Sequence, residues 1–131
     1  MGRILVTDDD TTCRTSIQKI LEREGHVVEG AEDVDHALQA MERRHFDLIV
    51  CDYRMPGRSG LDFLSELRRL QSEVPVLLIS AFADLETEAE AKRLGARELL
   101  RKPFRRQELV DHALKYLQHL QFRADGERRI P

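Results

Sequence analysis

Three consecutive carboxylates, Asp8, Asp9 and Asp10, follow the apolar run Ile4-Leu5-Val6 after a single threonine. A fourth, Asp52, follows Leu48-Ile49-Val50-Cys51, Ser80 closes Val76-Leu77-Leu78-Ile79, and Lys102 comes just after Glu98-Leu99-Leu100. Each of these polar residues stands at the end of a strand-length apolar run. Two carboxylates about 4 Å apart repel by on the order of 4 kcal/mol at an effective dielectric of about 20, so acids gathered at one spot call for a proton or a cation. Oxygen-only ligands favour Mg2+ or Mn2+ over zinc. An ammonium and a hydroxyl beside such a cation suit the oxygens of a phosphoryl group. A carboxylate can itself be the nucleophile, forming an acyl phosphate. In that chemistry, positioning and charge stabilisation carry most of the work.

The elements that must position these residues alternate between strand and helix. Residues 11–24 carry Ile17, Ile20 and Leu21 at helical spacing, and Gly25 stops them. Residues 26–30 read as a second strand, and 33–43 as a helix with Val34, Ala37, Leu38 and Met41 on one face. Residues 46–51 make a third strand. The loop 52–60, with Pro56, Gly57 and Gly60, is irregular, and helix resumes with Leu61, Leu64, Leu67 and Leu70. The run 76–79 is apolar throughout, as a buried central strand is. Residues 84–94 form a more polar helix with Glu86 and Glu90 one turn apart, closed by Gly95. After the short strand 98–100, residues 106–120 form the last helix, with Leu109, Ala113, Leu117 and Leu120 on one side. Residues 121–131 are polar and Arg-rich, and a frayed tail is expected there beyond a domain of residues 1–120. Five βα units imply an α/β fold with a doubly wound, mostly parallel sheet and helices on both faces. Strand order 2-1-3-4-5 brings the first and third strands together. Ligands in such sheets sit beyond the carboxyl ends of the strands, at the switch point, which is where the acids fall.

Composition narrows the classes. The 131 residues fit one domain, and 21 Lys plus Arg against 24 Asp plus Glu give a net charge of −3. That balance excludes a general nucleic-acid or membrane-surface binder. No apolar run approaches the roughly 18 residues of a membrane span, and Met1-Gly2-Arg3 opens no signal peptide. Cys13 and Cys51 show no metal or redox spacing and fit a reduced, cytoplasmic protein; Cys51 reads as a small buried residue. The five histidines form no ligand set. The basic residues Arg101, Lys102, Arg105 and Arg106 lack interleaved aromatics apart from Phe104, so they read as a solvated face or a partner surface. No direct nucleic-acid contact is expected. Tyr116, Leu120 and Phe122 suit either the core or a dimer face.

Taken in order, Ile4 to Asp10, Asp52-Tyr53-Arg54-Met55-Pro56-Gly57-Arg58-Ser59-Gly60, Ser80-Ala81 and Arg101-Lys102-Pro103-Phe104 resemble a response-regulator receiver domain over residues 3–120. The resemblance implies a flavodoxin-like five-stranded receiver. In it, Asp52 is the phosphoacceptor, supplied by a sensor histidine kinase or a phosphotransfer protein. Asp9 and Asp52 would ligate Mg2+ or Mn2+ directly, Asp8 through water, and Arg54 through its backbone carbonyl. Ser80 would hydrogen-bond the phosphoryl group and drive the switch, and Lys102 would pair with a phosphoryl oxygen. Pro103 sits where the family has a cis peptide. The chain would be a signalling module and not an enzyme, catalysing only its own phosphoryl transfer and autodephosphorylation, and acting on an unidentified downstream protein. A homodimer through the last two helices and strand is one arrangement the resemblance leaves open.

Some residues depart from the family pattern. Position 99 is Leu where the family usually has an aromatic residue, so Leu99 cannot report a switch in the same way. Arg54 and Phe82, two positions beyond Asp52 and Ser80, occupy places that tune dephosphorylation in the family, with a plain surface role the alternative. Asp10 is read as exposed and outside the cation site. Two other functions compete. One is a protein-binding module that works without phosphorylation, which Leu99 leaves open. The other is a Mg2+-dependent aspartyl phosphohydrolase. Against that enzyme stand the absence of a cap insertion and Arg54 in the place of a general-acid aspartate.

Overall fold

A computed structural model of the chain describes residues 2–81 and 84–128, with side chains through Gln118. The elements alternate without exception: β1 (Arg3–Thr7), α1 (Thr11–Arg23), β2 (Val27–Ala31), α2 (Val34–Arg43), β3 (Leu48–Asp52), α3 (Gly60–Arg69), β4 (Val76–Ser80), α4 (Leu85–Arg93), β5 (Glu98–Arg101) and α5 (Arg106–Arg128). All four strand pairings are parallel, in the order β2-β1-β3-β4-β5. The expected doubly wound sheet and its strand order are therefore observed.

Strand side chains alternate between two apolar layers. Leu5, Ile49, Cys51 and Leu78 face α2 and α3, where Val34, Ala37, Ala40, Phe63, Leu64 and Leu67 are buried against them. Ile4, Val6, Val50, Leu77 and Ile79 face α1 and α5, packing on Ile17, Leu21, Leu109, Ala113 and Leu117. β4 lies inside both layers, and all five of its residues are buried. The helices are not held equally. α3 buries four of its residues, whereas α4 buries only Ala91 and leaves Leu85 81% exposed.

Short side-chain caps begin the first four helices. Asp10 caps α1, Asp33 caps α2 and Asp84 caps α4, while Ser59 and Asp62 form a reciprocal capping box on α3. Just past the ends of α1 and α4, Gly25 and Gly95 take positive φ (93° and 107°), a turn that glycine makes without steric cost. After α3 the same turn falls to Gln71, with φ 58°.

One strand runs a residue further than its apolar run suggests: Asp52 is the last residue of β3 and not the first of its loop, while Ser80 ends β4 as expected. The ladder continues because the Tyr53 amide donates to the Ile79 carbonyl and the Lys102 amide donates to the Ser80 carbonyl, both at 2.8 Å. At the other extreme, the helical backbone of α5 passes Leu120 and continues to Arg128, into the segment expected as a polar tail. Leu120 and Phe122 lie beyond the described side chains. Among the described residues, no helix is long and apolar enough to cross a membrane.

Leu78 is fully buried at the centre of the sheet. Truncation Leu78→Ala is expected to destabilise the fold by about 2–5 kcal/mol in urea unfolding. The same truncation at Leu85 should cost less than about 0.5 kcal/mol.

Candidate functional site

Parallel strands deliver their carboxyl ends to one edge of the sheet, so β1, β3, β4 and β5 present Asp8, Asp52, Ser80 and Lys102 along a single rim. Because β1 and β3 are hydrogen-bonded neighbours, Asp8, Asp9 and Asp52 converge. One carboxylate oxygen from each lies within 4.8 Å of one from each of the others. Asp8 is buried, Asp52 half-buried and Asp9 exposed, so the group opens to solvent on one side. Lys102 reaches over from the end of β5, with its Nζ 3.6 Å from Asp52 Oδ1 and 3.9 Å from Asp8 Oδ2. The Lys102–Pro103 peptide bond is cis, as the resemblance implied.

The loop after Asp52 is held by small contacts. The Gly60 amide donates to the Tyr53 carbonyl at 2.8 Å, closing the loop on itself. Met55 is buried in the apolar layer beneath it. A Cβ on Gly60 would sit 2.8 Å from the Asp52 carbonyl oxygen and 3.0 Å from Leu78 Cδ2, so only glycine lets α3 start this close to the strand. Arg54 lies in this loop with its side chain exposed.

Like charges dominate the electrostatics. Burial pushes the Asp52 carboxyl above its ordinary range, and the Asp8 carboxylate pushes it further; Lys102 opposes both, and Asp9 adds a smaller upward push. Burial draws the Lys102 ammonium down, but Asp52, Cys13 and Asp8 outweigh it and hold the ammonium above its usual value. One ammonium therefore faces three carboxylates. Asp8 Oδ2 is buried and has no hydrogen-bond partner among the described residues. A buried carboxylate oxygen left without a donor is costly. An oxygen-only group with such an orphan suits a hard divalent cation, which takes carboxylates and water together.

The cluster gathers Asp8, Asp9, Asp52 and Lys102 directly. Ser80 lies on the same rim, 1% exposed, tied through its carbonyl to the Lys102 amide. Asp10 stands apart, because its Oδ1 accepts from the Thr12 and Cys13 amides and so caps α1. Leu99 is half-buried against the apolar layer that includes Ala91 of α4, and Phe82 lies outside the described residues. Cys51 is buried as expected, and burial pushes its thiol well up. Sequence reasoning missed Cys13. Its thiol is pushed up to about 11, first by burial and then by Asp8, so it sits at the edge of the site as an uncharged group. Helical spacing in the first turn of α1 was the available signal. One histidine reading needs correction: Glu32, Asp33 and His36 do come together. Their meeting is a helix start, in which Asp33 Oδ1 accepts from the His36 amide at 2.8 Å and contacts its ring Nδ1 at 2.7 Å, all at the surface.

Comparison with known proteins gives a consistent answer. The response regulator receiver domain family matches residues 4–114. The transcriptional regulatory protein ZraR of Salmonella typhimurium is 37% identical over 116 residues, covering 86% of this chain and 26% of that protein. The two-component response regulator PhoP of Pseudomonas aeruginosa is 35% identical over 107 residues, covering 82% of this chain and 48% of that one. The chain thus spans a quarter to a half of the length of these relatives. Among solved structures, the receiver domain of the Francisella response regulator 1452 superimposes with a TM-score of 0.87 at 29% identity, covering 92% of this chain and 99% of that one.

The raised Asp52 carboxyl has a consequence for stability. Asp52 holds its proton to higher pH when folded than when unfolded. Protonated Asp52 therefore favours the fold fully below the ordinary carboxylate value of 3.8, and that contribution fades as pH rises through the higher folded value. In EDTA at pH 7, Asp52→Asn is expected to raise Tm by roughly 2–5 °C, the shift that about 1 kcal/mol produces in a domain of this size. Thermal unfolding at a series of pH values should show the gap between variant and parent closing as pH falls toward 4.

Proposed function

Since the chain belongs to the response regulator receiver domain family of two-component signalling, we propose that Asp52 is its phosphoacceptor and that Mg2+ is the cation its acids hold. Members of this family are signalling modules and not enzymes acting on a small-molecule substrate. The observation that carries the proposal is the meeting of Asp8, Asp9 and Asp52 within 4.8 Å, with Lys102 Nζ 3.6 Å from Asp52.

The donor is a phosphohistidine on a sensor histidine kinase or a phosphotransfer protein. A carboxylate oxygen of Asp52 attacks phosphorus and the new O–P bond forms. The N–P bond to the donor histidine breaks, and its electron pair returns to the imidazole nitrogen. Asp9 and Asp52 would hold the cation directly, together with the Arg54 carbonyl, and Asp8 would act through water. Bound there, Mg2+ would supply positive charge to offset the acids and the phosphoryl oxygens. Lys102, already poised at Asp52, pairs with a second phosphoryl oxygen. The Ser80 hydroxyl donates a hydrogen bond to the phosphoryl group from the neighbouring strand. Preorganised charge of this kind is the main contribution a protein makes to phosphoryl transfer.

Phosphorylation at this rim changes the charge against which Lys102 and Ser80 are set. Both are joined to β5, by sequence or by the Ser80 carbonyl bond, so the β5 and α4 face is where a partner reads the change. A shift between two existing arrangements is sufficient. Autodephosphorylation by water at the acyl phosphate ends the signal, at a rate tuned by Arg54 and Phe82, which stand two places beyond Asp52 and Ser80 in the sequence.

Incubation with acetyl phosphate and Mg2+ is expected to add one phosphoryl group by intact mass, and none in EDTA or in Asp52→Asn. Asp9→Asn should retain the acceptor but weaken Mg2+ binding roughly tenfold or more, because ligand charge sets affinity for such cations. Labelling of Asp52→Asn equal to the parent would refute the acceptor assignment.

A further inference from the structure

The orphan oxygen of Asp8 is the remainder of a residue otherwise fully committed. The Asp8 amide donates to the Ala31 carbonyl at 3.0 Å. Its Oδ1 accepts from the Asp10 amide at 2.9 Å. Its backbone carbonyl accepts from Arg14 Nη1 at 2.7 Å. Only Oδ2 is left, and it is buried beside Lys102. Arg14 belongs to α1, six residues further along the chain, and its guanidinium bonds the peptide between Asp8 and Asp9.

That reach depends on β2. Arg14 and Gln18 lie over Gly30, where a Cβ would stand 3.1 Å from Arg14 Cδ and 2.6 Å from Gln18 Oε1. The missing side chain at Gly30 leaves the room that Arg14 and Gln18 occupy over the strand.

We propose that Arg14 is a positioning residue for the cation site: by clamping the Asp8 carbonyl it fixes the peptide that presents Asp8 Oδ2 and Asp9, and Gly30 keeps its path open. The inference rests on the Mg2+ reading above and extends it to two residues that touch neither cation nor phosphoryl group. Partners that orient ligands in this way are typically worth about 10–100-fold in metal affinity.

Charge alone predicts the opposite result. Arg14 is a cation near a cation site, so its removal should tighten Mg2+ binding if field is all that matters. Positioning predicts weaker binding.

The test is calorimetric titration of Mg2+ into the parent protein and into Arg14→Ala, Arg14→Lys and Gly30→Val, well below each unfolding temperature. Arg14→Ala is expected to raise the Kd about tenfold. Arg14→Lys keeps the charge but loses the planar fork and should fall between. Gly30→Val keeps Arg14 itself while blocking its path, suits a strand, and should weaken binding in the same direction. If Arg14→Ala does not fold, the other two variants carry the test. In EDTA, hydrogen exchange at the Asp10 amide should quicken in each variant, since its acceptor is Asp8 Oδ1. Equal or tighter Mg2+ binding in the variants, with the parent binding normally, would overturn this inference alone. No binding by the parent would overturn the cation reading and this inference with it.

Discussion

Three carboxylates that repel one another are held within reach of a single ammonium at the carboxyl edge of the sheet, and the surrounding structure is arranged to keep them there. Left to themselves the acids would separate or take up protons. Strand pairing fixes two of them. Asp52 ends β3 beside β1, and Asp8 follows the last residue of β1, whose neighbours on both sides are hydrogen-bonded. Below that edge, two apolar layers clamp the sheet from both faces and leave the strands no freedom to slide. Above it, the loops are short and capped. Asp10 turns the chain into α1 directly after the acidic pair, and Gly60 starts α3 against the carbonyl of Asp52. The repulsion is thus borne by the fold and is available to be relieved by a cation.

Much of this was legible in the sequence, because the code for it is local. Apolar runs of strand length, each ending in Asp, Ser or a nearby Lys, announce a parallel sheet with polar residues on one rim. Adjacency of Asp8 and Asp52 then follows from strand order. What stayed hidden depends on contacts between distant segments. Arg14 looks like any exposed helix residue until β2 is laid beside α1, and Gly30 like any strand glycine. Gly60 reads as a loop breaker, yet its use is the close approach of two backbones. Asp10 could be set aside from the acid group, but its bond to the α1 amides needed coordinates. The end of β3 was short by one residue for a related reason: a parallel ladder ends where its hydrogen bonds end, and polar Asp52 gives no hydrophobic sign of that.

Leu99 marks where resemblance and chemistry part. An aromatic ring at this place would bring bulk and a rigid plane beside β4, whereas Leu99 is a half-buried aliphatic side chain packed on the apolar layer that includes Ala91 of α4 and Ala96. Beside it, Arg101 bonds Glu88 of α4 at 3.3 Å, and the other Glu88 oxygen lies 3.6 Å from Lys92. Polar contacts at the surface thus add to the apolar layer in connecting β5 to α4. Exposed pairs of this kind are individually weak and sensitive to ionic strength.

The single buried alanine of α4 has a consequence for recognition. A protein that grips this helix meets an element whose native contacts hold it only lightly, so reshaping it to fit subtracts little from the energy of association. The other helices, with two to four buried side chains in α1, α2 and α3, would resist the same handling. The most lightly buried of these four helices therefore adjoins the carboxyl edge, while the sheet that presents the acids is packed on both faces.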